Sequence, residues 1–158
     1  MRNKTKILKI ANKLRKYFGY YPNGCYEISV IVQAVLQKHG LKATIVQGTF
    51  QIPCGCVDKW GKVKIYPWIN LHFWIECSGF MVDITADQFN EVIEDDSVPI
   101  KNGIKMPKVY CVPIKKITKR YHKKKYIIGI TAVEALKKLR KEKRKDYCLK
   151  KELKKLGL

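Results

Sequence analysis

The chain has 158 residues, a length that suits one domain. Hydrophobic residues make up 46% of it, enough to fill a core, so disorder along the whole chain is excluded. Lys and Arg number 33 against 13 Asp and Glu, a formal net charge of +20. That excludes an acidic solvating protein and favours an anionic partner such as nucleic acid, the ribosome or a membrane surface.

The charge is unevenly placed. Residues 1–18 carry seven basic and no acidic side chains, 19–114 carry eight and nine, and 115–158 carry eighteen and four. A near-neutral middle is therefore flanked by two basic ends, with chemistry expected in the middle and anion attraction at the ends. The basic residues are 28 Lys and 5 Arg. Lys acts as a point charge without planar recognition, which favours sequence-nonspecific attraction over base reading. The plainer alternative is that these lysines form a solvated outer face that keeps the chain dispersed.

No run of about 18 apolar residues exists, so no transmembrane helix is expected. The first eighteen residues are charged throughout and lack a signal-peptide pattern. A cytoplasmic protein is the expectation. Six cysteines stand at 25, 54, 56, 77, 111 and 148. In that compartment a disulfide framework is not expected. Only Cys54-Gly55-Cys56 forms a close pair, and the second pair that structural zinc commonly needs is missing. No metal and no cofactor are expected.

Along the chain, residues 4–18 read as an amphipathic helix with Ile7, Ile10, Ala11, Leu14, Tyr17 and Phe18 on one face. That face suits the core better than a membrane surface. Residues 19–24 form a turn-rich break. A second helix runs to about Lys38, with Asn23 as its N-cap and Gly40 as its stop. Residues 42–52 read as a strand and 53–61 as a loop. Residues 68–77 form a long strand that returns through Ser78-Gly79 into 79–85. Residues 108–114 form another strand. From about Thr131 the chain is helical and very basic, with Val133, Leu136 and Leu139, then Leu149, Leu153 and Leu156, able to pack.

Cys25 falls in the first turn of the second helix, on the face of Ile28. Free backbone N–H groups and the helix dipole there favour a thiolate, and they can hold a developing oxyanion. Such a nucleophile also needs a base and a group that orients the base. His72 shares a strand face with Trp68, Asn70, Trp74 and Glu76, while Ile69, Leu71, Phe73, Ile75 and Cys77 read as the core face. If Ser78-Gly79 is a two-residue loop, Trp74 faces Asp83, and Asp83 lies diagonal to His72 about 7–8 Å away, within side-chain reach. A register one residue different separates them. The residues alone also allow Cys25 as a small buried hydrophobe and His72 as a satisfied half-buried ring.

Residues 23–48 resemble the nucleophile segment of transglutaminase-like cysteine enzymes. Gly24-Cys25, then a helix, Gly40-Leu41-x-Ala43 and a strand reaching Gly48 match that pattern in order and spacing. His72-Phe-Trp74 is similar to the family's His-x-Trp segment and Asp83-x-Thr85 to its Asp-x-Thr. Thr44 departs from the Arg that many relatives carry after Gly-x-x-Ala. The resemblance covers residues 20–90 and implies an α+β, papain-like (transglutaminase-like) core over about 19–114, with the basic helical extension over about 115–158 and the whole chain, 1–158, as one domain. It implies that Cys25 attacks an amide carbonyl, His72 shuttles the proton and Asp83 orients His72. Tyr21, Asn23, Trp74 and Gln88 are the candidates for substrate or oxyanion contacts.

Two functions follow as expectations. The first is a cysteine hydrolase or acyltransferase acting on a protein or peptide amide, with hydrolysis as peptidase or deamidase favoured over amine transfer. The alternative is a papain-like scaffold without catalysis that binds nucleic acid or the ribosome through its basic ends, residues 115–158 above all.

Overall fold

The structure is a computed structural model. It describes residues 2–21, 23–57, 59–90, 105–141 and 149–158, with the backbone alone at 2, 53–57, 63–68, 141, 149 and 150. Among the described residues the chain is α+β, with four helices and one antiparallel sheet of five strands.

Helix α1 spans Arg2–Phe18 and buries Ile7, Ile10, Ala11, Leu14 and Phe18, the stripe its spacing predicts. Tyr17 on the same stripe is half-buried. Helix α2, Cys25–Lys38, buries Ile28, Val30, Ile31, Val32, Val35 and Leu36. Its N-cap is Gly24 rather than Asn23, and no side chain caps it. Asn23 instead takes a left-handed conformation, φ 63°, that turns the chain into the helix.

Strands β1, Ala43–Val57, and β2, Val63–Cys77, form one long hairpin. The sequence reading ends β1 at 52 and places a loop at 53–61. Backbone pairing continues through Pro53, Gly55 and the two cysteines, a stretch whose turn-forming residues hide its strand character. Whether Cys54 and Cys56 hold a metal lies outside the described side chains. Strand β3, Phe80–Asp83, returns from β2 with Cys77 opposite Phe80 and Ile75 opposite Val82. Ser78 and Gly79 both have positive φ, 49° and 83°, as a two-residue hairpin turn of right-handed twist requires. A short 3-10 turn, Ala86–Phe89, follows. Strand β4 is Tyr110–Pro113 and β5 is Tyr121–Ile127, giving the spatial order β4-β3-β2-β1-β5. Helices α3, Ala132–Lys141, and α4, Leu149–Leu156, close the chain.

Strand β5 corrects the reading of 115–158 as a helical extension. Its sequence, YHKKKYI, offers no apolar alternation because His122 through Tyr126 are exposed on an edge strand. In α3 the buried residues are Ala135, Leu136 and Leu139, with Val133 only half-buried.

The sheet is packed on both faces. The helices cover one face, over Ile45, Ile75, Cys77 and Val82. On the other face Val46, Phe50, Ile52, Trp74, Met81, Phe89, Met106 and Tyr121 form a second, more aromatic core. The face of β2 expected to be core is so only at its Cys77 end. Ile69 and Leu71, on the same face, are exposed.

Gly48 shows how tightly the second core closes. A side chain there would overlap the His122 carbonyl oxygen and the Trp74 ring. The chain also slips register against β5 between Gln47 and Gly48. Gly48→Ala is expected to destabilise the fold by about 1–3 kcal/mol through overpacking, read as a lower urea midpoint at unchanged m value.

Candidate functional site

Cys25 opens α2, and Gly24 before it is fixed by packing. A Cβ on Gly24 would overlap the Tyr21 ring and press on Leu139. Tyr21 is buried and its hydroxyl donates to the Leu139 carbonyl, so it braces the turn into α2 against α3. Cys25 itself is half-buried, not enclosed as its inward helical position suggests.

His72 is wholly buried, with 0% of its surface exposed, and Asp83 is 3% exposed. His72 Nε2 lies 2.6 Å from Asp83 Oδ2. The diagonal expected from the hairpin register is therefore the one the strands adopt. Both oxygens of the carboxylate are fully engaged. Oδ1 accepts from the Thr85 backbone N–H and the Thr85 hydroxyl, each at 2.8 Å. Oδ2 accepts from the Tyr121 hydroxyl at 2.8 Å, beside the histidine. The imidazole is walled by Phe50, Trp74, Phe89 and Tyr121, with ring centroids 4.9–6.3 Å away.

The opposite edge of the imidazole faces Gln88, and Cys25 lies near the ring. Burial acts to lower the His72 pKa, but the Asp83 charge and hydrogen bond, and then the hydrogen bond and charge of Cys25, raise it to about 9. Asp83 is pulled the other way. Burial acts to raise it, yet His72, Thr85 and Tyr121 together hold it below its ordinary value. Tyr121 is pushed well above the usual phenol range by burial and by the Asp83 charge, so it remains a donor. Both shifts favour the imidazolium–carboxylate form of the pair, and both side chains are buried.

Gln88 comes from the 3-10 turn that follows Thr85. Its amide nitrogen lies 3.5 Å from His72 Nδ1, and its carbonyl accepts from the Asn23 backbone N–H at 3.2 Å. This ties the turn to the residue pair just before Cys25. Asn23 thus enters through its backbone. Trp74 is 1% exposed, and among the described residues its indole nitrogen has no hydrogen-bond partner. It lies beneath the imidazole as packing, away from any substrate surface. Cys25, His72, Asp83 and Gln88 are thus brought together, while Tyr21 and Trp74 support the site from behind.

No protein-family model matches the chain, and no curated protein matches it. A solved structure described as "The crystal structure of genomics APC5867" is similar to 99% of this chain and 74% of its own, at 17% identity and a TM-score of 0.39. So slight a likeness says nothing of this chain's fold or chemistry.

Two further parts of the site escape a reading of the sequence. Tyr121 stands in a lysine run where no strand is evident. The only signal is that Tyr121 and Ile127 bracket the exposed residues as the ends of an edge strand. Arg15 is the second. It is 9% exposed, donates to the Ile84 carbonyl at 3.0 Å and pairs with Asp87 Oδ2 at 2.6 Å. It pins the turn that carries Thr85 and Gln88. Among the described residues no group of three or more His, Cys, Asp or Glu is placed to hold a metal ion.

Because the folded-state pKa of His72 lies above 6.5, its pairing stabilises the fold fully below that pH, and the contribution is lost as pH rises through about 9. The Asp83 contribution has the opposite sign. It is present above about 3.8 and is lost as pH falls through the lowered folded value. Imidazole NMR should find His72 titrating near 9 in the wild type and at least about one unit lower in Asp83→Asn. An unchanged titration would remove Asp83 as the cause.

Proposed function

We propose that this chain is a cysteine acyl-transfer enzyme of the transglutaminase-like, papain-like kind, acting on a protein or peptide amide and favouring hydrolysis. The observation that carries the reading is the buried His72–Asp83 contact of 2.6 Å, with Cys25, the first residue of α2, near enough to the same ring to help raise its pKa.

In this reading the Cys25 sulfur attacks the amide carbonyl while the imidazolium is held by Asp83. A C–S bond forms, and the carbonyl π electrons move to oxygen. The backbone N–H groups opening α2 face that oxyanion, with the Gln88 amide as a side-chain donor beside them. His72 then gives its Nδ1 proton to the leaving amine as the C–N bond breaks. A water, deprotonated by the now neutral imidazole, cleaves the thioester and restores the thiolate–imidazolium pair. Asp83 keeps the ring oriented, and Tyr121 and Thr85 keep Asp83 ionised. An amine in place of water would give cross-linking by the same steps.

The experiment is the rate of Cys25 alkylation by iodoacetamide against pH, with the site assigned by mass spectrometry. The wild type should react rapidly at pH 6–7. His72→Ala should slow that reaction by at least about tenfold. A Cys25 that is inert, or indifferent to His72, sinks the catalytic reading.

The five consecutive exposed residues His122–Tyr126 on the edge strand favour the second reading, a polyanion binder. Such a protein keeps its affinity for RNA in Cys25→Ala and loses it steeply with salt.

A further inference from the structure

A cavity of about 730 Å³ opens between the end of α1, the Ala86–Phe89 turn and the segment leading into β4. Its wall carries three cations, Arg15, Lys16 and Lys108, and one carboxylate, Asp87. Asp87 is already paired with Arg15 at 2.6 Å, so the remaining lining charge is that of Lys16 and Lys108. Both of those lysines are exposed, and they come from separate parts of the chain. Arg15 and Lys16 lie in the last turn of α1, where they also offset the carbonyl end of the helix dipole. The helix end makes no such demand of Lys108. Tyr20 adds an aromatic wall, and the Arg15 guanidinium lies 5.9 Å from its ring centre.

The cavity adjoins the proposed site. Asp87 directly precedes Gln88, whose amide nitrogen is 3.5 Å from His72 Nδ1. Arg15 holds both Ile84, directly after Asp83, and Asp87. Beside a site read as acting on a peptide amide, an open pocket with two cations and an aromatic wall suits an acidic side chain of that peptide.

Resting on the reading of Cys25 as an acyl-transfer nucleophile, we propose that this cavity receives a Glu or Asp side chain of the peptide substrate, a few residues from the amide attacked. Lys16 and Lys108 pair with the carboxylate, and Tyr20 covers its methylene stem. The site then selects acidic peptides over neutral ones.

The test is an NMR titration of the Cys25→Ala protein with acetyl-Glu-Glu-Gly-Gln-amide and, separately, acetyl-Gln-Gln-Gly-Gln-amide. The acidic peptide should shift the Gly19, Tyr20, Lys108 and Val109 amides and bind at least about tenfold more tightly than the neutral one. Lys16→Ala with Lys108→Ala should abolish that preference. Lys151→Ala with Lys154→Ala removes the same charge from α4 and should leave it intact. Equal binding of the two peptides, or equal loss in both double variants, overturns the proposal. So does an oligouridylate that shifts the same amides at lower concentration, which would make the cavity a nucleic-acid contact. Binding is read without the thiol, so an unreactive Cys25 in the wild type counts against the catalytic reading alone.

Discussion

A carboxylate taken out of water must have every lone pair answered, and Asp83 imposes that demand on the whole molecule. Leaving a buried charge uncompensated costs about 3–5 kcal/mol. Its answers come from three places: His72 in β2, Thr85 after β3 and Tyr121 in β5. The sheet order places β2 and β1 between β3 and β5. Tyr121 can reach Asp83 only across the face on which Gly48 leaves room for the Trp74 ring. The bulge, the glycine, the edge strand and the 3-10 turn are thus parts of one requirement.

That requirement also explains the two unlike faces of the sheet. The helical face is aliphatic and supports α2, whose first residue is Cys25. The opposite face is aromatic and encloses the imidazole. Aromatic walls exclude water and strengthen the His72–Asp83 attraction, which outweighs the burial that would otherwise make the histidine neutral. The helix carries the Cys25 sulfur and the sheet carries the His72 ring. The turn at Ala86–Phe89 joins them, fastened to α1 by Arg15 and to the approach to α2 by Gln88.

The positive charge has several separate uses in the structure. Arg15 is a buried clamp, and Arg140 pairs with Glu152 at 2.6 Å to join α3 to α4. Lys123 pairs with Glu76 at 3.2 Å and lies 3.6 Å from the Tyr126 ring centre. Lys16 and Lys108 border the cavity beside the turn. Net charge by itself therefore tells little about what any one lysine does. No helix among the described residues is long and apolar enough to cross a membrane.

Local chemistry made much of this legible in the sequence. The period of apolar residues gave α1 and α2, and Ser78-Gly79 set the hairpin register that puts His72 and Asp83 on one face. Gly24-Cys25 placed the thiol at a helix start. These features depend on neighbours a few residues apart or on a single tight turn, so the sequence by itself determined them. It could not determine β5, because an edge strand of lysines buries too little to show a period. Nor could it tell that Ile75 is buried while Leu71, on the same face of β2, is exposed. Tyr121 on Asp83, Arg15 on Ile84 and Gln88 beside His72 join residues 38, 69 and 16 positions apart. Only the tertiary structure decided those contacts, because a buried charge selects its partners by position in space, and packing alone brings distant donors to it.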